Sequence, residues 1–351
     1  MGKKPYGAPM LDVPVTLNVN ENTHPVPADV QQAIIEEIAT TLGSINRYPD
    51  REFTQLRHDL ASYLTETVNN RVTITAEQIW AANGSNEVLQ HVFQAFGGPG
   101  RTALGFSPTY SMHPIIAEST GTAWIGEKRE DNFEVSAAHA VAAVREHTPD
   151  LLFFCTPNNP TGNAITLETI AAAYEETNGV VVVDEAYQEF HPHPDHSALT
   201  LLPGRERLLV SRTMSKAFAF AGARVGYMAA DPAVIDAMRL VRLPYHLSAI
   251  TQAAARAALD HRATMLAMVD DIRSQRDRLL VELPALGYPV TVSVANFVLF
   301  SGVSSPKHTF EALLAQGVLV RDVGIPHSLR VTAGTEEETT VFLTKLAKLS
   351  Q

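Results

Sequence analysis

Ser211-Arg212-Thr213-Met214-Ser215-Lys216-Ala217-Phe218-Ala219-Phe220-Ala221-Gly222-Ala223-Arg224-Val225-Gly226 is the stretch on which the reading of this chain turns. A strand-like run, Arg207 to Val210, leads into it, and hydroxyls, one lysine, small residues and an arginine follow. Lys216 stands between Ser215 and a run of alanine and phenylalanine, a setting that partly desolvates its ammonium. Desolvation lowers the pKa of an amine and frees it as a nucleophile. Thr213 and Ser215 come just before it, and the fork-shaped cation of Arg224 comes eight residues after it. Hydroxyls and a guanidinium so placed suit a phosphate. A surface lysine with a helix arginine is the ordinary alternative, and Ser-Lys alone does not exclude it.

Three further segments bear on the choice: Gly84-Ser85-Asn86-Glu87, Pro157-Asn158-Asn159-Pro160-Thr161-Gly162 and Val183-Asp184-Glu185-Ala186-Tyr187. In order and spacing the four motifs resemble the fold-type-I pyridoxal-phosphate aminotransferases, and more closely the histidinol-phosphate aminotransferase family. The resemblance runs from Leu17-Asn18-Val19-Asn20-Glu21-Asn22 to Leu329-Arg330-Val331-Thr332-Ala333-Gly334, nearly the whole chain. It implies an α/β fold: a large domain with a mainly parallel seven-stranded sheet sandwiched by helices, a small α+β domain and an N-terminal arm. The expected division is 1–25 for the arm, 26–245 for the large cofactor-binding domain and 246–351 for the small C-terminal domain.

Composition is ordinary for a soluble globular protein. The chain has 351 residues, enough for a large core and two domains. A net charge of −11 with no basic block argues against nucleic-acid binding. It leaves room for a small anionic substrate, which needs only a local arginine cluster. The longest apolar runs are strand-length, well short of the ~20 residues of a membrane helix. The N-terminus lacks an apolar signal-peptide core, so a cytoplasmic location is expected. The single cysteine, Cys155, ends an apolar strand and reads as a small core residue.

In chain order, the Pro-, Asn- and Gly-rich residues 1–25 read as an extended arm; the resemblance implies that it crosses to a partner subunit. Pro27 to Leu42 has helical spacing, with Val30, Ile34, Ile35 and Ile38 expected on one face. The loop Ile45-Asn46-Arg47-Tyr48-Pro49-Asp50 follows. The resemblance implies that Tyr48 reaches into the neighbouring subunit's site and donates to the cofactor phosphate. A second helix spans about Glu52 to Val68. Ile79 to Glu87 reads as strand, tight turn and helix start, and the helix N-terminus at Ser85 and Asn86 suits a phosphate. After the strand Thr102 to Phe106, the resemblance makes Tyr110 the aromatic that stacks on the pyridine ring.

The apolar strand Leu151 to Cys155 runs into the Pro-Asn-Asn-Pro loop, where two prolines hold the backbone. Asn159 there is expected to donate to the phenolate oxygen of a pyridoxal ring. Val180 to Val183 is a continuous apolar strand, as in a parallel sheet buried on both faces. Asp184 ends it, where ligands bind in open α/β sheets, and suits an ion pair with a protonated pyridine nitrogen. Tyr187 is expected at the ring's phenolate oxygen. His191-Pro192-His193-Pro194-Asp195-His196 is metal-like in composition only; the prolines break any ligand spacing, so a solvated loop and no metal are expected. Helices near Pro232 to Val241 and Ser248 to Leu259 precede a long one, Arg262 to Glu282, expected to link the domains.

In the small domain, Val290 to Ser301, Val318 to Arg321 and Leu329 to Thr332 read as strands and Thr309 to Gln316 as a helix. Thr335 with Glu338 reads as a capping box. Arg321 and Arg330 stand within apolar strands, where a buried arginine requires an anionic partner. The resemblance assigns Arg330 to the substrate's acidic group, with Arg321 assisting.

The function expected is therefore transamination by a homodimer carrying pyridoxal 5'-phosphate, with L-histidinol phosphate and 2-oxoglutarate as substrates and imidazole acetol phosphate and L-glutamate as products. Lys216 carries the cofactor and moves the proton. Ser85, Asn86, Thr213, Ser215, Arg224 and the partner's Tyr48 grip the phosphate. Asn159 and Tyr110 also border the substrate. An aromatic amino acid aminotransferase, and a decarboxylase of a phosphorylated amino acid, share this machinery. A cofactor-sensing regulator would need a DNA-binding module for which the chain has no room. Two departures from the family pattern are Thr23-His24-Pro25, where proline would directly follow Asn22, and Ala333.

Overall fold

The computed structural model describes residues 7–193 and 195–349. Residues 1–6 of the expected arm and Pro194 of the histidine–proline loop lie outside the described residues.

Seven strands form the main sheet. In chain order they follow a short strand β1 (Val15–Thr16): β2 (Ile79–Ala82), β3 (Thr102–Ser107), β4 (Ala123–Lys128), β5 (Leu151–Cys155), β6 (Val180–Asp184), β7 (Leu208–Thr213) and β8 (Gly226–Ala229). Their spatial order is β2-β8-β7-β6-β5-β3-β4. Only β8 runs against its neighbours, β2 and β7. The sequence reading did not separate β8 as a strand. Four residues wedged between a loop and a helix carry too little periodicity to stand out.

Helices α1 (Ala28–Leu42), α2 (Thr54–Thr67), α3 (Ser85–Phe96), α4 (Met112–Ser119), α5 (Ala137–His147), α6 (Leu167–Glu176) and α7 (Pro232–Val241) belong to the same half of the chain. The sheet is covered on both faces, which is why β5 is apolar and buried at every position. Consecutive β5 residues face opposite ways. Phe153 stacks on Phe93 of α3, ring centroids 4.8 Å apart, and Phe154 stacks on Phe106 at 5.5 Å. On α1, Val30 is buried and Ile34 and Ile38 pack on the core, but Ile35 is 58% exposed. Five residues past Val30 is about 140° around the helix, off the face that the i, i+4 spacing defines.

The chain then runs through α8 (Ala249–Asp260) and the long α9 (Arg262–Ala285) into the C-terminal part. There β9 (Phe297–Ser301) pairs antiparallel with β11 (Ser328–Thr332), and β10 (Val318–Leu319) pairs parallel with β1. Helices α10 (Pro306–Ala315) and α11 (Glu336–Ala347) pack on them, and α11 opens with the expected Thr335–Glu338 capping box. The strand expected from Val290 is shorter. Val290 makes an isolated bridge to Phe300, and the Val294 N–H is spent on the Gly162 carbonyl at 2.9 Å, docking the segment on the Pro-Asn-Asn-Pro loop. Likewise β10 ends at Leu319, and Arg321 meets Arg330 in a separate bridge.

The described part of the N-terminal segment packs on its own chain from β1 onward. Leu17 N–H donates to the Leu319 carbonyl and Thr332 N–H to the Leu17 carbonyl. Open edges of the two small sheets supply these partners; the short apolar–polar alternation Val15-Thr16-Leu17-Asn18-Val19-Asn20 was not read as a strand within a Pro- and Asn-rich segment. The histidine–proline loop also differs from the solvated loop expected. His191 is buried, its ring stacks on His196 at 4.6 Å, and its carbonyl accepts from Arg273 on α9 at 2.7 Å. Among the described residues, no helix is long and apolar enough to cross a membrane.

Candidate active site

The carboxyl ends of β2, β3, β5, β6 and β7 lie along one edge of the sheet, and antiparallel β8 begins there. Loops leaving that edge converge on a cavity of about 410 Å³, within the size range of small-molecule sites. Ser85 and Asn86 enter after β2, Tyr110 after β3, Asn159 after β5, Asp184 and Tyr187 with β6, Thr213, Ser215 and Lys216 with β7, and Arg224 before β8. The C-terminal part adds Arg321 and Arg330, and the N-terminal strap adds Asn18, Val19 and Asn20. Twelve of the thirteen residues singled out from the sequence thus meet in one place. Tyr48 does not line this chain's cavity: it is 80% exposed and stacks on Tyr245, ring centroids 4.5 Å apart.

At one end is an anion seat. Helix α3 starts without a side-chain cap, so the Ser85 and Asn86 N–H groups and the helix dipole can meet a ligand. Gly84 precedes it at φ +90°, and a Cβ there would collide with the Arg224 guanidinium. A Cβ on Gly226 would collide with the backbone of Gly84 and Ser85. The two glycines thus let Arg224 and β8 close on the helix end. Thr213 and Ser215 complete the seat, their hydroxyls 2.9 Å apart.

In the middle is Asp184, buried, with Oδ2 3.0 Å from His113 Nε2. Its other oxygen, Oδ1, is buried with no hydrogen-bond partner, and it borders the cavity. A carboxylate oxygen so placed lacks a donor, which a protonated ring nitrogen would supply. Sequence reasoning missed His113. It lies three residues past Tyr110 on α4, and a lone histidine in a helix carries no sign of what it faces.

Lys216 Nζ donates to the Val19 carbonyl at 2.9 Å. Burial, and then the nearby Arg330, bring its amine down from 10.5 to about 8, with Glu21 opposing and Arg224 adding to the fall. In cofactor-free protein, reductive methylation with carbon-13 should therefore yield a Lys216 signal titrating near 8. A midpoint near that of a solvated lysine would show that the amine is not desolvated. The Arg330 guanidinium donates to Asn159 Oδ1 at 2.6 Å and to the Asn18 carbonyl at 2.7 Å. Arg330 is buried as expected, whereas Arg321 is half-buried in the cavity wall. Tyr187 is buried, its oxygen 3.0 Å from Asn20 Nδ2 and 3.3 Å from Asn159 Nδ2.

An anion seat, an unpartnered buried carboxylate oxygen and a desolvated lysine match the phosphate, ring nitrogen and aldehyde of pyridoxal phosphate. Fold and site define a pyridoxal-phosphate-dependent aminotransferase of fold type I. The family model for aminotransferase class I and II matches residues 13–346. The histidinol-phosphate aminotransferase of Paenarthrobacter aurescens is 58% identical, over 99% of this chain and 93% of that one. That of Streptomyces avermitilis is 54% identical, over 100% of this chain and 95% of that one. A solved histidinol-phosphate aminotransferase from Sinorhizobium meliloti, in complex with pyridoxal-5'-phosphate, shares the fold at TM-score 0.83 and 20% identity, over 96% of this chain and 91% of that one. The chain belongs to the class I and II aminotransferases and, within them, to the histidinol-phosphate aminotransferase family.

Proposed function

We propose that this enzyme interconverts L-histidinol phosphate plus 2-oxoglutarate and imidazole acetol phosphate plus L-glutamate, a step of histidine biosynthesis, as a cytoplasmic homodimer. The observation that carries the reading is the pairing of a desolvated Lys216 with Arg330 and Arg321 in one cavity. A guanidinium takes a carboxylate or a phosphate two donors at a time, so the same arginines serve glutamate and a phosphorylated amine. Identity of 58% and 54% to histidinol-phosphate aminotransferases supports this choice over an aromatic amino acid substrate.

Pyridoxal phosphate, when bound, supplies an aldehyde that accepts the amino group and a ring that withdraws electrons from the substrate α-carbon. Ser85, Asn86, Thr213, Ser215 and Arg224 hold its phosphate. Asp184, braced by His113, would pair with the ring nitrogen and favour its protonated form. Tyr187 and Asn159 address the ring's phenolate oxygen, and Tyr110 covers the ring face and excludes water. Lys216 would hold the cofactor through its amine. In its neutral form that amine would serve as the base that takes the proton from the substrate α-carbon and, once protonated, as the acid that gives it back. Arg330, with Arg321, fixes the substrate so that the α-carbon proton faces Lys216.

The dimer reading rests on the face around Tyr48. Ile35, Leu42, Ile45, Leu240, Leu243 and Tyr245 are exposed apolar side chains, and Tyr245 stacks on Tyr48; covering them would remove apolar surface from water. Tyr48, exposed beside them, is then free to reach the phosphate in the partner's site, the role that the family resemblance implies. On this reading residues 26–245 hold the cofactor and residues 246–351 close over the substrate.

The test is a half-reaction on the pyridoxal form, without any 2-oxo acid. L-histidinol phosphate, L-glutamate and L-phenylalanine are added separately and the cofactor absorption is followed. Fast conversion by the first two with slow conversion by phenylalanine is the expected result. Phenylalanine much faster than histidinol phosphate would make this an aromatic transaminase. No conversion by any of them, with carbon dioxide released from a phosphorylated amino acid, would make it a decarboxylase.

A further inference from the structure

We propose that Asn20 is a positioning residue that fixes the direction of the Tyr187 hydroxyl proton. The inference rests on the functional reading above for the use of Tyr187, but its geometry belongs to this chain alone.

Asn20 is buried and adopts a left-handed backbone, φ +57°, a conformation that asparagine tolerates better than most residues. That turn lets the strap cross the cavity, so that the Asn18 carbonyl meets Arg330 and the Val19 carbonyl meets Lys216. Every polar group of Asn20 is engaged. Its N–H donates to Thr332 Oγ1 at 3.1 Å, and the Thr332 hydroxyl donates to Oδ1 at 3.3 Å. Its carbonyl accepts from Asn296 Nδ2 at 3.1 Å. With Oδ1 fixed on Thr332, the remaining amide Nδ2 faces the Tyr187 oxygen.

Asn159 is oriented just as firmly from the other side. A guanidinium only donates, so Arg330 requires Asn159 Oδ1 as acceptor and turns Nδ2 to Tyr187. The Tyr187 oxygen therefore accepts two amide hydrogen bonds, which is all a phenol accepts. Its own proton is left for a group in the cavity. Burial pushes the Tyr187 phenol up, while Arg330 and the Asn20 amide pull the other way. A phenol made more acidic is a stronger donor to an oxygen bearing negative charge. The other titratable groups that act on Tyr187 are Asp184 of β6 and Cys155 of β5. The variants below leave both in place.

Asn20→Gly removes the amide and keeps the left-handed turn. Asn20→Asp keeps size and turn tolerance but replaces the donor by an anionic acceptor. The protein is labelled with 3-fluorotyrosine and freed of cofactor, and the Tyr187 fluorine signal is assigned by its loss in Tyr187→Phe. The titration midpoint of that signal should rise by about half to one pH unit in Asn20→Gly, the worth of one hydrogen bond. Asn20→Asp should raise it further. Asn22→Ala is the control, because Asn22 ties the same strap to the Ala217 carbonyl at 3.3 Å without bonding Tyr187. An unmoved midpoint in Asn20→Gly, or an equal rise in Asn22→Ala, overturns the proposal. In the loaded protein, the pH midpoint of the cofactor absorption should rise in Asn20→Gly and should not rise further when Tyr187→Phe is already present. Absence of any cofactor absorption would sink the functional reading, while the fluorine titration still decides the role of Asn20.

Discussion

Lys216→Ala lowers transamination by at least about 10⁴-fold, the upper range for a positioned acid–base group. Among the described residues that line the cavity no other amine can replace it, the remaining cations being the guanidiniums of Arg224, Arg321 and Arg330. A small added amine, such as methylamine, should restore part of the lost rate, because the cavity emptied by the side chain admits it. Undiminished turnover would remove Lys216 from the mechanism. The same residue makes an opposite prediction for stability. Its folded pKa of about 8 lies below its unfolded value of 10.5, so the folded protein pays for a desolvated ammonium at low pH. Lys216→Met should therefore stabilise cofactor-free protein fully below about pH 8, and the gain should fade as pH rises through 10.5. Thermal melts of cofactor-free parent and variant across that window check the sign.

Asp184→Asn lowers kcat by about 10³-fold, the scale for losing one preorganised electrostatic contact. The substitution keeps shape and removes the charge that would hold a ring nitrogen protonated. The buried carboxylate has His113 on one oxygen and no partner on the other, so the cofactor-free fold gains little from its charge. Melting temperature without cofactor should hold or rise, while cofactor binding weakens. A melting temperature that falls in step with kcat would mean that Asp184 serves the fold and not the chemistry.

The legible part of the site was the part carried on single loops. Asp184 ends a four-valine run, and an apolar strand closing on a carboxylate advertises a sheet edge. Lys216 lies between hydroxyls and a run of alanine and phenylalanine, with an arginine eight residues on. Such groups are neighbours in sequence because they share one turn. His113, Asn20 and Asn18 were not legible, because their partners lie 71, 167 and 312 residues away. Ile35 misled for a related reason: its apolar character was read as burial, but helix geometry turns it outward.

By itself the sequence showed the continuous apolar runs Leu151–Cys155 and Val180–Val183 and the helical spacing from Pro27 to Leu42. The α/β class and the chemistry of the loops came through the resemblance that the four motifs carry, supported by proline-bound loops and a lysine among small apolar residues. Only the tertiary structure decided that Asn18, Val19 and Asn20 line the cavity from within the same chain, that His113 bonds Asp184, and that Asn20 and Asn159 both bond Tyr187. Each of these is a hydrogen bond between groups far apart in the chain. Its direction is set by which partner can only donate, and sequence spacing carries no record of that.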